Sequence, residues 1–122
     1  MTIAEPFEVR EPLLLISIAQ THGEGQDPYH AVQYAWKVDV ERARRCNLVL
    51  ARVGAKVVGA YRPYEWLEAT RENFPSREPH SGRWGFYGRE AELAVWQYYR
   101  KRQVPAHLRT SRGSPIRYSE PE

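Results

Sequence analysis

Five segments of the chain have the apolar patterning of β-strands. The clearest is the unbroken apolar run at 13–19, which is the length of a strand buried on both faces. The complete set of predicted strands is 13–19, 47–53, 56–62, 83–88 and 115–118. Gly54 is the first residue of a two-residue loop between the second and third strands, which predicts a type II′ hairpin.

Three short segments repeat their apolar residues at helical spacing, at 28–36, 39–46 and about 90–100. Asp27 followed by Pro28 is typical of a helix start. The outer face of the second helix is expected to carry Glu41, Arg44 and Arg45 in solvent. Pro63 is expected to end the third strand, with at most one or two helical turns at 65–69 and a loop at 70–82.

Strands and helices are mixed along the chain without regular βαβ alternation, which favours an α+β fold. The length of 122 residues fits a single domain, 1–122, in which 1–11 and 119–122 are expected to be loose termini. We predict a small, strongly bent mixed sheet or an open β-barrel, with short helices at its flank.

The net charge of +3 is unevenly distributed. Residues 1–70 carry 8 Lys and Arg against 9 Asp and Glu, whereas residues 71–122 carry 10 against 6. Arginine binds phosphate through two parallel hydrogen bonds and stacks on bases, so a polyanion is the first partner to consider. The alternative is a solvated, arginine-rich surface. The candidate phosphate-binding residues lie in a window without acids: Arg100, Lys101, Arg102, Arg109, Arg112 and Arg117.

Several short strings resemble a small, poorly characterised domain that occurs alone or beside nuclease domains, including GIY-YIG nucleases. They are YAWKV at 34–38, RA at 42–43, LVLA at 48–51, VVGAY at 57–61, Trp66, RWGFYG at 83–88, VP at 104–105 and GSPIRY at 113–118. There is also a looser similarity to the PUA-like superfamily, which includes EVE, ASCH, YTH and SRA domains. The resemblance implies a PUA-like β-barrel that binds nucleic acid, with modified-base recognition known among relatives. The nuclease motifs are absent, so any nuclease partner is expected on another chain.

Aromatic side chains can stack on unpaired or extruded bases while arginines neutralise the backbone. The candidate base-binding residues are Trp36, Trp66, Trp84 and Tyr87, with Ser17 or Asn47 as polar readers. The alternative role for the tryptophans is simply to fill the core. Trp84 and Trp96 fit that role better than Trp36 and Trp66, which have polar or charged neighbours. Whether the nucleic acid is DNA or RNA stays open.

No set of residues has the spacing of a catalytic or metal centre. The four histidines have no ligand spacing, and the single Cys46 fits a core position between a helix and a strand. We therefore expect no metal, no cofactor and no catalytic residue. Two alternatives remain: a small enzyme that acts on a nucleotide-like anion through Glu65 or His30, and a protein-interaction module of a phage or defence system.

The sequence also bears on localisation. The longest apolar stretch, 12–19, is far shorter than the roughly 20 residues that a membrane-spanning helix needs. One cysteine and no secretion signal favour the cytoplasm, with no membrane partner.

Overall fold

The structure, a computed structural model, describes residues 4–18, 27–109 and 114–121. Its helices are all short, and the longest of those described has eight residues, too few to cross a membrane. The elements in chain order are β1 (Leu13–Ser17), α1 (Pro28–Val32), α2 (Val40–Arg44), β2 (Leu48–Val53), β3 (Lys56–Glu68), β4 (Trp84–Glu90), α3 (Leu93–Arg100), the 3₁₀ helix η1 (Ala106–Leu108) and β5 (Ile116–Ser119).

The five strands form one mixed sheet in the order β4-β3-β2-β1-β5. β1 pairs with β2 in parallel, and every other neighbouring pair is antiparallel. This confirms the predicted α+β class with a mixed sheet and short helices. The edge strands β4 and β5 do not pair with each other in the described ranges, so the sheet is not closed into a barrel.

The hairpin at Gly54 is confirmed. Val53 pairs with Lys56, which leaves a two-residue loop. Gly54 has a φ of +59° whereas Ala55 has no positive φ, as a type II′ turn requires.

The predicted helical turns at 65–69 are wrong, because β3 continues through Pro63 to Glu68. Beyond Tyr61, β3 pairs only with β4, so a proline there removes no hydrogen bond to β2. The register to β4 shifts between Pro63 and Glu65, which is a β-bulge. Gly88 allows this close pairing, since a Cβ there would lie 2.4 Å from the carbonyl oxygen of Arg62.

The first helix ends at Val32, four residues earlier than the predicted 36. Ala35 has a positive φ of 70°, which interrupts the helix. Trp36 then pairs with Trp84 through two backbone hydrogen bonds of 3.0 and 2.9 Å. Because of this pairing the segment after α1 covers the outer edge of β4.

Both faces of the sheet are covered by apolar residues, which explains the unbroken apolar run of β1. Leu14 and Ile16 face α1 and α2, while Leu13 and Leu15 face α3. The N-terminal segment packs on the α3 face. Phe7 is buried there, with its ring 5.0 Å from that of Tyr99, so the described part of the segment predicted to be a loose lead-in is held against the sheet.

Candidate functional site

Helix α2 presents arginines on its outer side because its buried residue, Ala43, faces the sheet. The carboxylate of Asp39 caps the helix by accepting hydrogen bonds from two backbone N–H groups of the first turn. Arg42, Arg44 and the C-cap residue Arg45 then point away from the core and are exposed. A five-residue helix thus places three cations at one side of the sheet.

Three arginines line one cavity of about 450 Å³ between α2, η1 and the edge strand β5. They are Arg42, Arg45 and Arg117, and the only acid among the described lining residues is Glu120. None of the three forms an ion pair with a described residue. We call this space the arginine cavity. Cations that lack acidic partners can bind an external anion without first breaking an internal pair.

Tyr118 holds the two walls of the arginine cavity together. The guanidinium carbon of Arg42 lies 4.1 Å from the centre of its ring. Its hydroxyl accepts a 2.8 Å hydrogen bond from the backbone N–H of Asp39. Burial raises the pKa of the Tyr118 hydroxyl, so it stays neutral at physiological pH.

Cys46 also lines the arginine cavity but has the environment of a core residue. Its thiol donates a hydrogen bond of 3.4 Å to the carbonyl of Arg42. Burial raises the pKa of the thiol to about 11, although the charge of Arg42 acts in the opposite direction. The thiolate that a nucleophile requires is therefore disfavoured.

The burial of the four tryptophans is the reverse of the expected order. Trp36 and Trp66 are 8% and 4% exposed, whereas Trp84 and Trp96 are half-buried. The indole N–H of Trp36 donates to the carbonyl of Val32 at 2.8 Å, while that of Trp66 has no partner among the described residues. Trp36 and Trp66 are therefore core residues, despite their polar neighbours in the sequence.

Trp84 lines a cavity of about 510 Å³, which we call the Trp84 cavity. Its other lining residues include Arg71, His80 and Arg83 as well as one acid, Glu68. The guanidinium of Arg44 lies 5.9 Å from the centre of the Trp84 ring. Trp84 is thus the proposed stacking residue whose ring is partly exposed, lines a cavity and lies near cations.

Trp66 and Tyr87 lie outside the Trp84 cavity. Trp66 lines a smaller cavity of about 310 Å³, together with Arg44. Tyr87 is 40% exposed, and its ring stacks on that of Phe74 at 5.0 Å with an angle of 8°. Its hydroxyl donates a hydrogen bond to the carbonyl of Asn73. The four predicted aromatic residues therefore do not form one pocket.

The two proposed polar readers are also separate from the aromatic residues. Ser17 is half-buried at the end of β1, where it pairs with Arg52 of β2. Asn47 is exposed just before β2, and its carbonyl accepts a hydrogen bond from Arg62. Neither residue lines the cavities of Trp66 and Trp84.

The cations predicted to bind phosphate are spread over the molecule. Arg100 and Arg102 belong to the α3 face, where they lie over the rings of Trp96 and Tyr98 at 5.8 and 4.0 Å. Lys101 and Arg109 are exposed, Arg112 is outside the described residues, and Arg117 lines the arginine cavity.

Arg44 and Arg45 were expected only on the outer face of the second helix, and Arg42 was not predicted as a site residue. The signal that was available is the run RARR at 42–45, directly after a helix start. This run was overlooked because residues 1–70 have a net charge close to zero. Acids near the run, such as Glu41, offset its positive charge in that sum. Glu41 does pair with Arg44 at 3.2 Å, but both side chains are exposed, so the pair is weak.

The residues of the enzyme alternative do not assemble into a centre. Glu65 is exposed on strand β3 and lines the same cavity as Trp66, while His30 is exposed on α1. In the described ranges no group of three His, Cys, Asp or Glu residues is arranged to hold a metal ion. Comparison with known proteins found no family, curated protein or solved structure that matches this chain.

Proposed function

We propose that this protein binds single-stranded or locally unpaired nucleic acid along helix α2. The surface runs from the arginine cavity, past Arg44, to the Trp84 cavity. The observation that carries the proposal is the convergence of Arg42, Arg45 and Arg117 on one cavity with no ion pair to a described residue.

The arginine cavity supplies the phosphate contacts in this proposal. In the described part of the lining, three guanidinium groups against one carboxylate, that of Glu120, give the cavity a net positive charge. Stacking on Tyr118 leaves the edge of the Arg42 guanidinium group able to donate hydrogen bonds to phosphate oxygens. These contacts fix the position of the backbone but do not read its sequence.

The Trp84 cavity supplies the base contact. A half-buried indole offers one face to a base, and Arg44 links it to the phosphate-binding side. Stacking on an aromatic side chain contributes about 1–3 kcal/mol per base and needs a base that is not already stacked in a duplex. For this reason the proposal specifies an unpaired or extruded base, including a modified one.

The same proposal includes that this domain is PUA-like. It is supported by the short residue strings and by a mixed five-stranded sheet with short helices. The proposal gives no residue of this chain a role in cleavage, and it assigns any nuclease activity to a partner chain.

Fluorescence anisotropy with labelled DNA and RNA, single-stranded and duplex, tests the phosphate contacts. The variant Arg42→Gln/Arg45→Gln/Arg117→Gln is expected to bind at least tenfold more weakly than the wild type at low salt. The charge-matched control Arg10→Gln/Lys56→Gln/Arg89→Gln removes three cations that do not line the cavity, and it is expected to retain most of the affinity. Equal losses in the two variants would contradict a localised site.

Trp84→Leu tests the base contact, with Trp96→Leu as its matched control. Both tryptophans are half-buried, but Trp96 packs on the α3 side of the sheet. Trp84→Leu is expected to weaken binding to a single strand about tenfold and to leave weak duplex binding unchanged. Circular dichroism and thermal unfolding verify that both variants are folded. Equal affinity of the two variants for the single strand would exclude Trp84 as the stacking residue.

A further inference from the structure

A different cavity, of about 380 Å³, lies between β3 and the first residues of α1 and α3. Among the described residues, its charged lining consists of two acids, Asp27 and Glu90, with no Lys or Arg. Its aromatic lining residues are Tyr61 and Trp96, and the exposed Leu93 stands at the same cavity. We call it the acidic cavity. Its lining has the opposite charge to that of the arginine cavity, and no residue of the described ranges lines both.

Tyr61 is the group in this cavity that points to a ligand. The residue is only 4% exposed, yet its hydroxyl forms no hydrogen bond with any described residue. Its oxygen lies at the acidic cavity, where it can accept a hydrogen bond from a bound molecule. Gly59 makes the arrangement possible, because a Cβ at that position would lie 2.5 Å from the hydroxyl oxygen.

The two carboxylates make the surroundings of this hydroxyl negative. Burial raises the pKa of Tyr61 most, and the charges of Asp27 and Glu90 raise it further. Tyr61 therefore remains a neutral phenol that can accept a hydrogen bond. Glu90 has no ion-pair partner in the part of the chain that the structure describes.

We propose that the acidic cavity binds an organic cation of the alkylammonium or guanidinium class. The carboxylates of Asp27 and Glu90 would neutralise its charge, and the Tyr61 oxygen would accept one of its N–H groups. Trp96 adds aromatic surface to the lining, and the guanidinium of Arg100 already lies 5.8 Å from the centre of its ring. An anion is disfavoured here by both acids. The cation is either a free small molecule or an arginine or lysine side chain.

The inference is independent of the proposed function, since the acidic cavity lies outside the α2 surface. The test uses ethylguanidinium and ethylammonium as free cations and N-ethylurea as a neutral molecule of similar shape. A third arm uses an acetylated, amidated Gly-Arg-Gly peptide. The readout is the NMR shift of the Trp96 indole N–H, which reports on the cavity itself.

Three substitutions locate the binding. Tyr61→Phe removes only the hydroxyl, and Glu90→Gln removes one charge. Each is expected to weaken cation binding about tenfold, the effect of one charge-assisted hydrogen bond. Glu72→Gln, at an exposed glutamate outside the cavity, is the matched control and should leave binding unchanged.

The proposal is supported if both cations cause saturable shifts and N-ethylurea causes none. The two cavity variants, Tyr61→Phe and Glu90→Gln, must also bind the cations more weakly than the wild type. Peptide binding with the same sensitivity identifies a protein side chain as the ligand, whereas binding of the free cations alone identifies a small molecule. Equal shifts with N-ethylurea, equal affinity of wild type and variants, or no saturable shift with the cations would overturn it.

Discussion

The guanidinium carbon of Arg42 lies 4.1 Å from the centre of the Tyr118 ring, which joins helix α2 to the edge strand β5. The same tyrosine accepts a hydrogen bond from the backbone N–H of Asp39, the N-cap of that helix. The position of Arg42 in its cavity therefore depends on a residue far away in the sequence. The site is therefore a product of tertiary structure.

Removing the hydroxyl of Tyr118 should destabilise the protein while leaving the aromatic ring under Arg42. Tyr118→Phe deprives the Asp39 N–H of its partner, and we expect a loss of about 0.5–1.5 kcal/mol in the free energy of unfolding. Urea denaturation measures this loss. Tyr64→Phe is the control, because Tyr64 is exposed and its hydroxyl has no described partner. Equal stabilities of the two variants would show that the bond to Asp39 contributes nothing.

The carboxylate of Glu92 should make stability depend on pH in the acid range. Hydrogen bonds from Arg62 lower its pKa from 4.5 to about 2, with smaller contributions from its own backbone N–H and from Arg89. Because the folded pKa is the lower one, the stabilisation is complete above about pH 4.5 and is lost as the pH falls toward 2. Glu92→Gln is expected to flatten the loss of stability between these pH values. Glu72→Gln is the control and should leave this loss of stability unchanged. If the free energy of unfolding has the same pH dependence in both variants, the ion pairs of Glu92 are not the cause.

The thiol of Cys46 should react slowly in the folded protein. Its pKa of about 11 leaves little thiolate at pH 8, and its side chain is buried. Alkylation with iodoacetamide, followed by mass spectrometry, is expected to be far slower in buffer than in denaturant. A native rate equal to the denatured rate would contradict the core role of Cys46 and reopen its assignment as a nucleophile.

The sequence was sufficient for features that depend on near neighbours in the chain. The hairpin at Gly54 and the buried strand β1 follow from a turn residue and an apolar run, and both are present. The continuation of β3 through Pro63 was not predictable, because it depends on the absence of a β2 partner at that position. Rules for proline that use only the neighbouring sequence contain no information about which strands lie beside it in the sheet.

The sequence indicated the residue types of the candidate site but not their arrangement. An excess of arginine and aromatic residues indicated a polyanion partner, but the sequence could not bring Arg42 and Arg117 into one cavity. The sequence also misjudged the tryptophans, since Trp36 packs in the apolar cluster under α1 and α2 although the next residue, Lys37, is exposed. Trp36 is buried because the carbonyl of Val32 accepts its indole N–H and its backbone pairs with Trp84.

The salt dependence of nucleic-acid binding tests the central proposal most directly. Each phosphate contact to a single strand contributes about −0.7 to the slope of the logarithm of the binding constant against the logarithm of salt concentration. If Arg42, Arg45 and Arg117 each contact one phosphate, the triple Gln variant should have a slope about 2 less negative than the wild type. The control Arg10→Gln/Lys56→Gln/Arg89→Gln should keep the wild-type slope. Identical slopes for the triple variant and the wild type, or no binding by the wild type at low salt, would contradict the proposal.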